Sequence, residues 1–368
     1  DWLAAAYDQN TAASVGSAAP DLERETVRLL ARLFGLGDEH TGAFVTGATM
    51  SNFVGLAVAR EWLGERAGVS PAQQGVGALG PVRVYSGTPH SSVHKALAML
   101  GLGRDSLRPV PTLPGREAVD VDGLAALLDG TPAVVVANAG TVNTADFDDL
   151  RALARLRDRS PFWLHVDAAF GGFAALSPGH AHLVAGLDEA DSVCVDLHKW
   201  LNVPYDSAVQ FTRRRDLQTG VFRNSAAYLG ALTDEPDFVH LTPENSRRLR
   251  ALAAWLTLTA YGRDGHREVV ERCTRLARRL GDLVDGAPGL RLLAPVRLNV
   301  VCFTLADAPT ADRVGLLARR IAASGETFLT PTVYKGQHAL RAAFSNWRTA
   351  DGEVDGVHAA VRAACEGL

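Results

Sequence analysis

Between residues 41 and 213 the chain alternates short apolar runs with stretches whose apolar residues recur at helical spacing. Apolar runs at 133–137, 161–167 and 192–195 are short and rich in the β-branched and aromatic residues typical of strands. Amphipathic stretches at 122–129 and 146–159 precede the first two of these runs. Nearly continuous apolar strands separated by helices predict an α/β fold with a mostly parallel central sheet flanked by helices. One further strand, at 207–213, is predicted to be antiparallel.

The pattern changes near residue 265. A long helix to residue 284, two strands near 290–293 and 298–305, a helix at 310–323, two more strands and a last helix predict a small α+β domain. We therefore expect an N-terminal helical segment over 1–40, a large domain over 41–264 and a small C-terminal domain over 265–368. The stretch 216–244 has weak periodicity and is expected to be a lid or mobile loop. A helix is expected to begin at Ser246.

Composition excludes several classes of protein. Hydrophobic residues make up 47% of the 368 residues and charged residues 21%, as in ordinary globular proteins. A net charge of −4 argues against a nucleic-acid-binding surface. No apolar run approaches the ~20 residues that a membrane span needs. The four cysteines are scattered without a CxxC pair, which suits reduced thiols and a cytoplasmic location.

Charged side chains follow two of the predicted strands. Asp196, His198 and Lys199 come after the strand at 192–195, and Asp167 ends the strand at 161–167. Open α/β sheets bind their ligands at the carboxyl ends of the strands. A partly desolvated lysine beside another cationic group is a suitable nucleophile toward a carbonyl. The alternative is a lysine that extends from a strand end into solvent.

Two further turns join a strand to a helix. Gly47 permits close backbone approach, and Ala48 and Thr49 then present N–H groups at a helix N-terminus, where an anion is favoured. A capping turn without a ligand would have the same pattern. His90 lies at the second strand-to-helix corner, and it either faces the same crevice as Lys199 or merely caps its helix.

Three sequence motifs resemble those of the group II pyridoxal-phosphate-dependent decarboxylases, a family that includes aromatic-L-amino-acid decarboxylase. They are Pro89-His-Ser-Ser-Val-His-Lys-Ala96, His165-Val-Asp-Ala-Ala169 and Asp196-Leu-His-Lys-Trp-Leu-Asn-Val-Pro-Tyr-Asp206. They occur in the order in which the family has them, and the resemblance extends from about residue 17 to the C-terminus. It implies fold type I, the fold of aspartate aminotransferase, and the cofactor pyridoxal 5′-phosphate (PLP).

The resemblance also implies a role for each candidate residue. Lys199 would hold PLP as an imine, Asp167 would pair with the ring nitrogen, and His90 would stack on the ring and contact the substrate carboxylate. Tyr228 would protonate Cα as a general acid, although Ser225-Ala-Ala-Tyr228 departs from the family's Asp-Pro-x-Tyr. The remaining predicted cofactor contacts are Ala48, Thr49, Thr141, Ala169, Asp196, His198 and, from the second subunit of a homodimer, Ser246.

The resemblance implies decarboxylation of an L-amino acid to a primary amine, with aromatic substrates first and diaminobutyrate-like ones second. Two alternatives stay open: decarboxylation coupled to oxidative deamination, which gives an aldehyde, and a non-catalytic homologue. The chain opens at Asp1 without an initiator methionine, so we expect the family's N-terminal region, which helps to determine the substrate, to be incomplete here.

Overall fold

The computed structural model describes residues 2–6, 16–224 and 232–368. These residues form a seven-stranded and a four-stranded sheet. The larger sheet contains β1 Thr41–Val45, β2 Val84–Ser86, β3 Leu107–Pro109, β4 Ala133–Asn138, β5 Phe162–Asp167, β6 Ser192–Asp196 and β7 Ala208–Thr212. The smaller sheet contains β8 Leu290–Leu292, β9 Val300–Leu305, β10 Thr330–Tyr334 and β11 Gln337–Ala343.

Helices cover both sheets. In the first half of the chain they are α1 Trp2–Ala6, α2 Ala19–Phe34, α3 Ala48–Ala67, α4 Pro71–Gln74, α5 Ser91–Met99, α6 Val121–Leu127 and α7 Leu150–Leu156. In the second half they are α8 Leu197–Trp200, α9 Arg215–Phe222, α10 Ala251–Asp285, α11 Ala311–Ala323 and α12 Asp351–Cys365. No helix among the described residues is long and apolar enough to cross a bilayer.

The strand order of the larger sheet is β1-β7-β6-β5-β4-β2-β3. The β2–β3, β2–β4, β4–β5 and β5–β6 pairs are parallel, and β7 pairs antiparallel with both β6 and β1. Every residue of β4, β5 and β6 is buried because helices cover both faces of these strands. The predicted α/β class, the mostly parallel sheet and the antiparallel strand at 207–213 are confirmed.

The predicted C-terminal α+β pattern is also present: β9 pairs antiparallel with both β11 and β8, and α11 packs against β10 and β11. The boundary at residue 265 stays a prediction. It falls inside α10, three residues after a kink at Gly262, whose φ is 61°.

Two predicted segments differ from the structure. The stretch 216–244 contains α9, whose Leu217, Val221 and Phe222 pack against the cluster of apolar residues on α3 and α5. The helix expected at Ser246 begins instead at Ala251. Ion pairs of Arg247 with Glu23 and of Arg250 with Asp206 hold the preceding residues in a non-helical path. Such contacts with distant residues override local helix propensity.

Candidate active site

A cavity of about 180 Å³ lies where β4 and β5 end and α3 begins. Six predicted site residues line it: Ala48, His90, Thr141, Asp167, Ala169 and Lys199. A larger cavity of about 290 Å³ lies between α2 and residues 235–241, and none of the predicted site residues lines it. The smaller cavity is therefore the candidate active site, at the edge of the sheet where the chain topology places ligands.

Asp167 ends β5 and is only 7% exposed. Its Oδ2 accepts a hydrogen bond from Asn52 Nδ2 at 2.8 Å, and its Oδ1 accepts one from the Ala169 N–H at 3.2 Å. No described arginine, lysine or histidine forms an ion pair with it within 4 Å. Each carboxylate oxygen has a further lone pair, so Asp167 can accept another donor from the cavity. A buried carboxylate in this position favours a cationic ligand group.

Asn52 and His165 lie behind Asp167, and both are fully buried. His165 Nε2 is 2.9 Å from Asn52 Oδ1, and its Nδ1 is 2.8 Å from Ser192 Oγ. Burial lowers the pKa of His165 to about 4, so the ring is neutral at pH 7. The ring has space only because residue 55 is glycine: a Cβ there would lie 2.7 Å from His165 Cε1.

Lys199 lies on α8, immediately after β6. Its Nζ is 3.1 Å from Asp196 Oδ2 and 4.3 Å from the centroid of the Phe170 ring. His198 Nε2 is 2.9 Å from the same carboxylate oxygen. Asp196 is 3% exposed, and it therefore anchors both basic side chains at the strand end. His198 and Asp196 adjoin Lys199 and are not among the residues that line the cavity.

The turn after Lys199 is fixed by hydrogen bonds to Ser345, which follows β11, and to Arg250, which precedes α10. Asn202 and Asp206 have φ angles of 55° and 71°, a left-handed conformation that these two residue types tolerate better than most. Asn202 Nδ2 donates to the Ser345 carbonyl at 2.9 Å, and Asp206 Oδ1 accepts from Arg250 Nε at 2.8 Å. These contacts restrict where the backbone can present Lys199.

Thr141 is held by a buried carboxylate. Glu117 is 5% exposed, and its Oε2 accepts hydrogen bonds from Thr141 Oγ1 at 2.5 Å and Thr144 Oγ1 at 2.6 Å. Thr141 Oγ1 also accepts the Asp146 N–H at 2.9 Å. The hydroxyl of Thr141 therefore already has partners, and its methyl group is the part left to pack against a ligand.

His90 is both a helix cap and a cavity residue. Its Nδ1 accepts the Ser92 N–H at 3.2 Å at the start of α5 and lies 2.8 Å from Ser92 Oγ. Ala48 and Thr49 form the first turn of α3, so their N–H groups lie at the helix end that favours anions. His90 thus both caps α5 and faces the cavity that Lys199 lines, as the two predictions for it described.

The fold and this arrangement can be compared with known proteins. The family described as "pyridoxal-dependent decarboxylase conserved domain" matches residues 1–306. The chain belongs to the pyridoxal-dependent decarboxylases. The cofactor of the family is PLP, and its members are lyases that decarboxylate amino acids.

Individual relatives agree with this assignment. An aromatic-L-amino-acid decarboxylase of Bacillus atrophaeus is 29% identical over 383 residues, covering 100% of this chain and 78% of the relative. An L-2,4-diaminobutyrate decarboxylase of Acinetobacter baumannii is 28% identical over 322 residues, covering 81% of this chain and 61% of the relative. The crystal structure of Oryza sativa TDC with PLP and tryptamine superposes with a TM-score of 0.90 at 24% identity, covering 99% of this chain and 80% of that one, which shows the shared fold.

The residues of this decarboxylase fit PLP. Besides Lys199 and Asp167, Asn138 lies at the cavity, and its buried Nδ2 has no hydrogen-bond partner among the described residues. A buried donor without a partner costs free energy unless a ligand accepts from it. The cavity thus combines an amine, a carboxylate, a helix N-terminus and an open donor.

Sequence reasoning missed Arg341. It lies on β11 of the smaller sheet and lines the same cavity, where its Nη1 donates to the Val142 carbonyl. Burial lowers the pKa of its guanidinium, and no described carboxylate lies within 4 Å of it. The only indication in the sequence is an arginine within the apolar stretch 339–344.

Among the described residues, the predicted site residues Thr49 and Ser246 also do not line the cavity. Tyr228 is outside the described residues, so its role as the proton donor stays a prediction. Ser246 is exposed and does not line the cavity.

Across residues 2–6, 16–224 and 232–368, no group of three or more His, Cys, Asp or Glu side chains could hold a metal ion.

Proposed function

We propose that this decarboxylase converts an aromatic L-amino acid to its primary amine and CO2, with Lys199, Asp167 and His90 at the reacting centre. The observation that carries the proposal is that an amine, a histidine and a buried carboxylate with no ion pair among the described residues line one cavity. When bound, PLP supplies an electron sink for the electron pair left on Cα as CO2 departs.

Each of the predicted site residues would have its own role in binding the cofactor or moving a proton. Lys199 would attach the cofactor covalently, and Asp167 would keep a proton on the ring nitrogen because its buried charge requires a cation. Ala169, His90 and Thr141, which line the cavity, would contact the ring. Ala48, Thr49 and the α3 N-terminus would bind the phosphate, and Asp196 and His198 would orient the Lys199 region. Tyr228 would return a proton to Cα.

The position of Arg341 supports a carboxylate contact. It is a partly buried guanidinium at the cavity with no ion pair among the described residues, and the substrate brings a carboxylate. A guanidinium can bind a carboxylate with two parallel hydrogen bonds. We propose that Arg341 holds the α-carboxylate until CO2 leaves.

The first test is covalent attachment and product formation. The purified chain loaded with PLP should gain visible absorbance, and borohydride should fix the cofactor to the peptide that contains Lys199. Lys199→Ala should lower CO2 release about a thousandfold or more, because the covalent attachment is lost. A chain that binds PLP but releases no CO2 from any of the twenty amino acids would support the non-catalytic alternative instead.

The same reaction mixtures separate the two enzymatic outcomes. A primary amine in a 1:1 ratio to CO2 supports the proposal. Aldehyde and hydrogen peroxide with oxygen consumption would support oxidative deamination. In the screen, aromatic amino acids are expected to release CO2 fastest and 2,4-diaminobutyrate to come second.

Arg341→Met should lower kcat/KM about 10- to 100-fold, because a hydrogen bond to a charged group contributes roughly 1.5–3 kcal/mol. Arg341→Lys retains the charge without the paired donors, and its kcat/KM should fall between those of the unaltered chain and Arg341→Met. The control is the amine product, which lacks the carboxylate: its competitive inhibition constant should not change. An equal loss of affinity for amine and amino acid would show that Arg341 only shapes the cavity.

We also propose that the chain works as a homodimer in the cytoplasm. Ser246 is exposed, which supports the proposal that it contributes to the active site of a second subunit. A monomer in solution with full activity would contradict this.

A further inference from the structure

We propose that a buried hydrogen-bond relay positions the carboxylate of Asp167 and fixes the direction of the hydrogen bond that it accepts from Asn52. The Asp167 relay consists of Trp163, Ser192, His165 and Asn52, none of which lines the cavity. The inference rests on the proposed role of Asp167 and extends it to four residues that do not line the cavity.

The relay begins with a group that can only donate. Trp163 Nε1–H donates to Ser192 Oγ at 2.8 Å, and the same oxygen lies 2.8 Å from His165 Nδ1. An indole has no acceptor, so the direction of this first bond is fixed. Ser192 therefore accepts from Trp163 and can use its own hydrogen to donate to His165.

The relay ends with a group that can only accept. An ionised carboxylate has no hydrogen to donate, so the Asn52 amide nitrogen must face Asp167 Oδ2 at 2.8 Å. The amide oxygen of Asn52 then faces His165 Nε2 at 2.9 Å and must accept from it. These two ends assign the neutral His165 ring a proton on Nε2 and a lone pair on Nδ1. Every donor in the relay then has one acceptor.

Asn52 joins the relay to His90. Its second amide hydrogen points to Ser92 Oγ at 3.0 Å, and that hydroxyl lies 2.8 Å from His90 Nδ1. One buried asparagine therefore sets the hydrogen bonding of two cavity residues, Asp167 and His90.

The packing prevents the relay from rearranging. Asn52, His165 and Ser192 are each 0% exposed, so water cannot replace a lost partner. Gly55 lies directly against the His165 ring, which leaves the ring no room to turn toward α3. Reversing the relay would make Ser192 Oγ accept from both Trp163 and His165, and the Ser192 hydroxyl hydrogen would then have no acceptor among the described residues.

The first experiment uses the unaltered chain. Nitrogen-15 NMR of histidine-labelled protein, with and without PLP, reports which ring nitrogen of His165 carries the proton; His165→Gln assigns the signal. We expect the Nε2–H form in both states from pH 6 to 8. An Nδ1–H form, or a doubly protonated ring, would overturn the proposal even if decarboxylation proceeds as proposed. A failed decarboxylation assay would leave this result intact, so the two proposals fail separately.

The second experiment changes the donor without changing the size of the side chain. Asn52→Asp retains an oxygen for His165 but removes the donor to Asp167, and burial beside a like charge keeps the introduced carboxyl protonated to a higher pH. Once protonated, it can donate again. The dissociation constant for PLP, relative to the unaltered chain, should be about 10- to 100-fold higher at pH 8 and should approach the unaltered value as the pH falls toward 6. A ratio that does not change with pH would show a packing role and would overturn the proposal.

Two matched controls complete the design. Asn299→Asp makes the same change at a fully buried asparagine of the smaller sheet, whose Nδ2 donates to the Phe344 carbonyl at 2.8 Å, and it should not show the pH-dependent ratio. Ser192→Ala should shift His165 toward a mixture of ring forms, whereas Ser86→Ala, which removes a buried hydroxyl bonded to the Val136 carbonyl, should not. An unchanged His165 in Ser192→Ala would remove Trp163 and Ser192 from the relay.

Discussion

Asp167→Asn is expected to lower the rate of CO2 release about a thousandfold while the cofactor remains attached to Lys199. The asparagine has nearly the same shape but no charge, so it cannot hold a proton on the ring nitrogen, and the ring becomes a weaker electron sink. Losing one partner of a buried charge pair costs about 3–5 kcal/mol, and 4 kcal/mol corresponds to roughly a thousandfold in rate. Single-turnover measurements of CO2 release at saturating amino acid would measure this.

Asp167→Glu is the matched control because it retains the negative charge and changes only the distance of the carboxylate from the backbone. It should retain much more activity than Asp167→Asn, with the loss arising from misplacement. If both variants are equally impaired, the position tolerates no change of any kind and the charge is not the reason. Near-normal turnover by Asp167→Asn would exclude Asp167 as the partner of the ring nitrogen.

Glu23→Gln should lower the free energy of unfolding by about 3 kcal/mol or more, the largest effect that we expect from a residue outside the active site. Glu23 and Arg247 form an ion pair at 2.9 Å with both side chains 0% exposed, and Glu23 Oε1 also accepts the Phe44 N–H. Removing one partner of such a pair leaves the other charge buried without it, which costs about 3–5 kcal/mol. Urea unfolding followed by intrinsic fluorescence would measure the change.

An exposed pair provides the control. Glu268 and Arg272 pair at 2.7 Å on α10, and the Glu268 side chain is 60% exposed. Glu268→Gln should change stability by less than about 0.5 kcal/mol because water screens the pair. The double variant Glu23→Leu with Arg247→Met should recover most of the loss, since apolar residues can replace a buried ion pair. Equal effects of Glu23→Gln and Glu268→Gln would contradict this account.

Strand ends explain why much of the active site could be predicted. The apolar runs at 161–167 and 192–195 indicate which residues leave the sheet at its carboxyl edge, and parallel pairing brings those ends together. Asp167 and Lys199 follow from that rule, as do Ala48 and His90 at the starts of the next helices. Local pattern and chain direction are sufficient here because each residue is placed by its own strand or helix.

Prediction from the local sequence pattern was wrong where contacts with distant side chains determine the local structure. The start of α10 moved to Ala251 because Glu23, 224 residues earlier in the chain, pairs with Arg247. α9 was missed because its burial depends on apolar residues of α3, and because Gln218 is buried through bonds to Gln210 and the Leu241 carbonyl. Gln210 is 8 residues from Gln218, but Leu241 is 23 residues from it and Glu23 is 224 residues from Arg247, so a local window of sequence does not contain most of these partners.

The sequence by itself determined the α/β class and the family, and it indicated that Lys199 and Asp167 would lie together at one cavity, because hydrophobic period and strand-end motifs are local properties. Only the tertiary structure brought Arg341 from the smaller sheet to the cavity and aligned Asn52 of α3 with His165 and Ser192 of two strands. Those contacts join residues 27 to more than 100 positions apart, and which donor meets which acceptor is decided by packing in the folded chain.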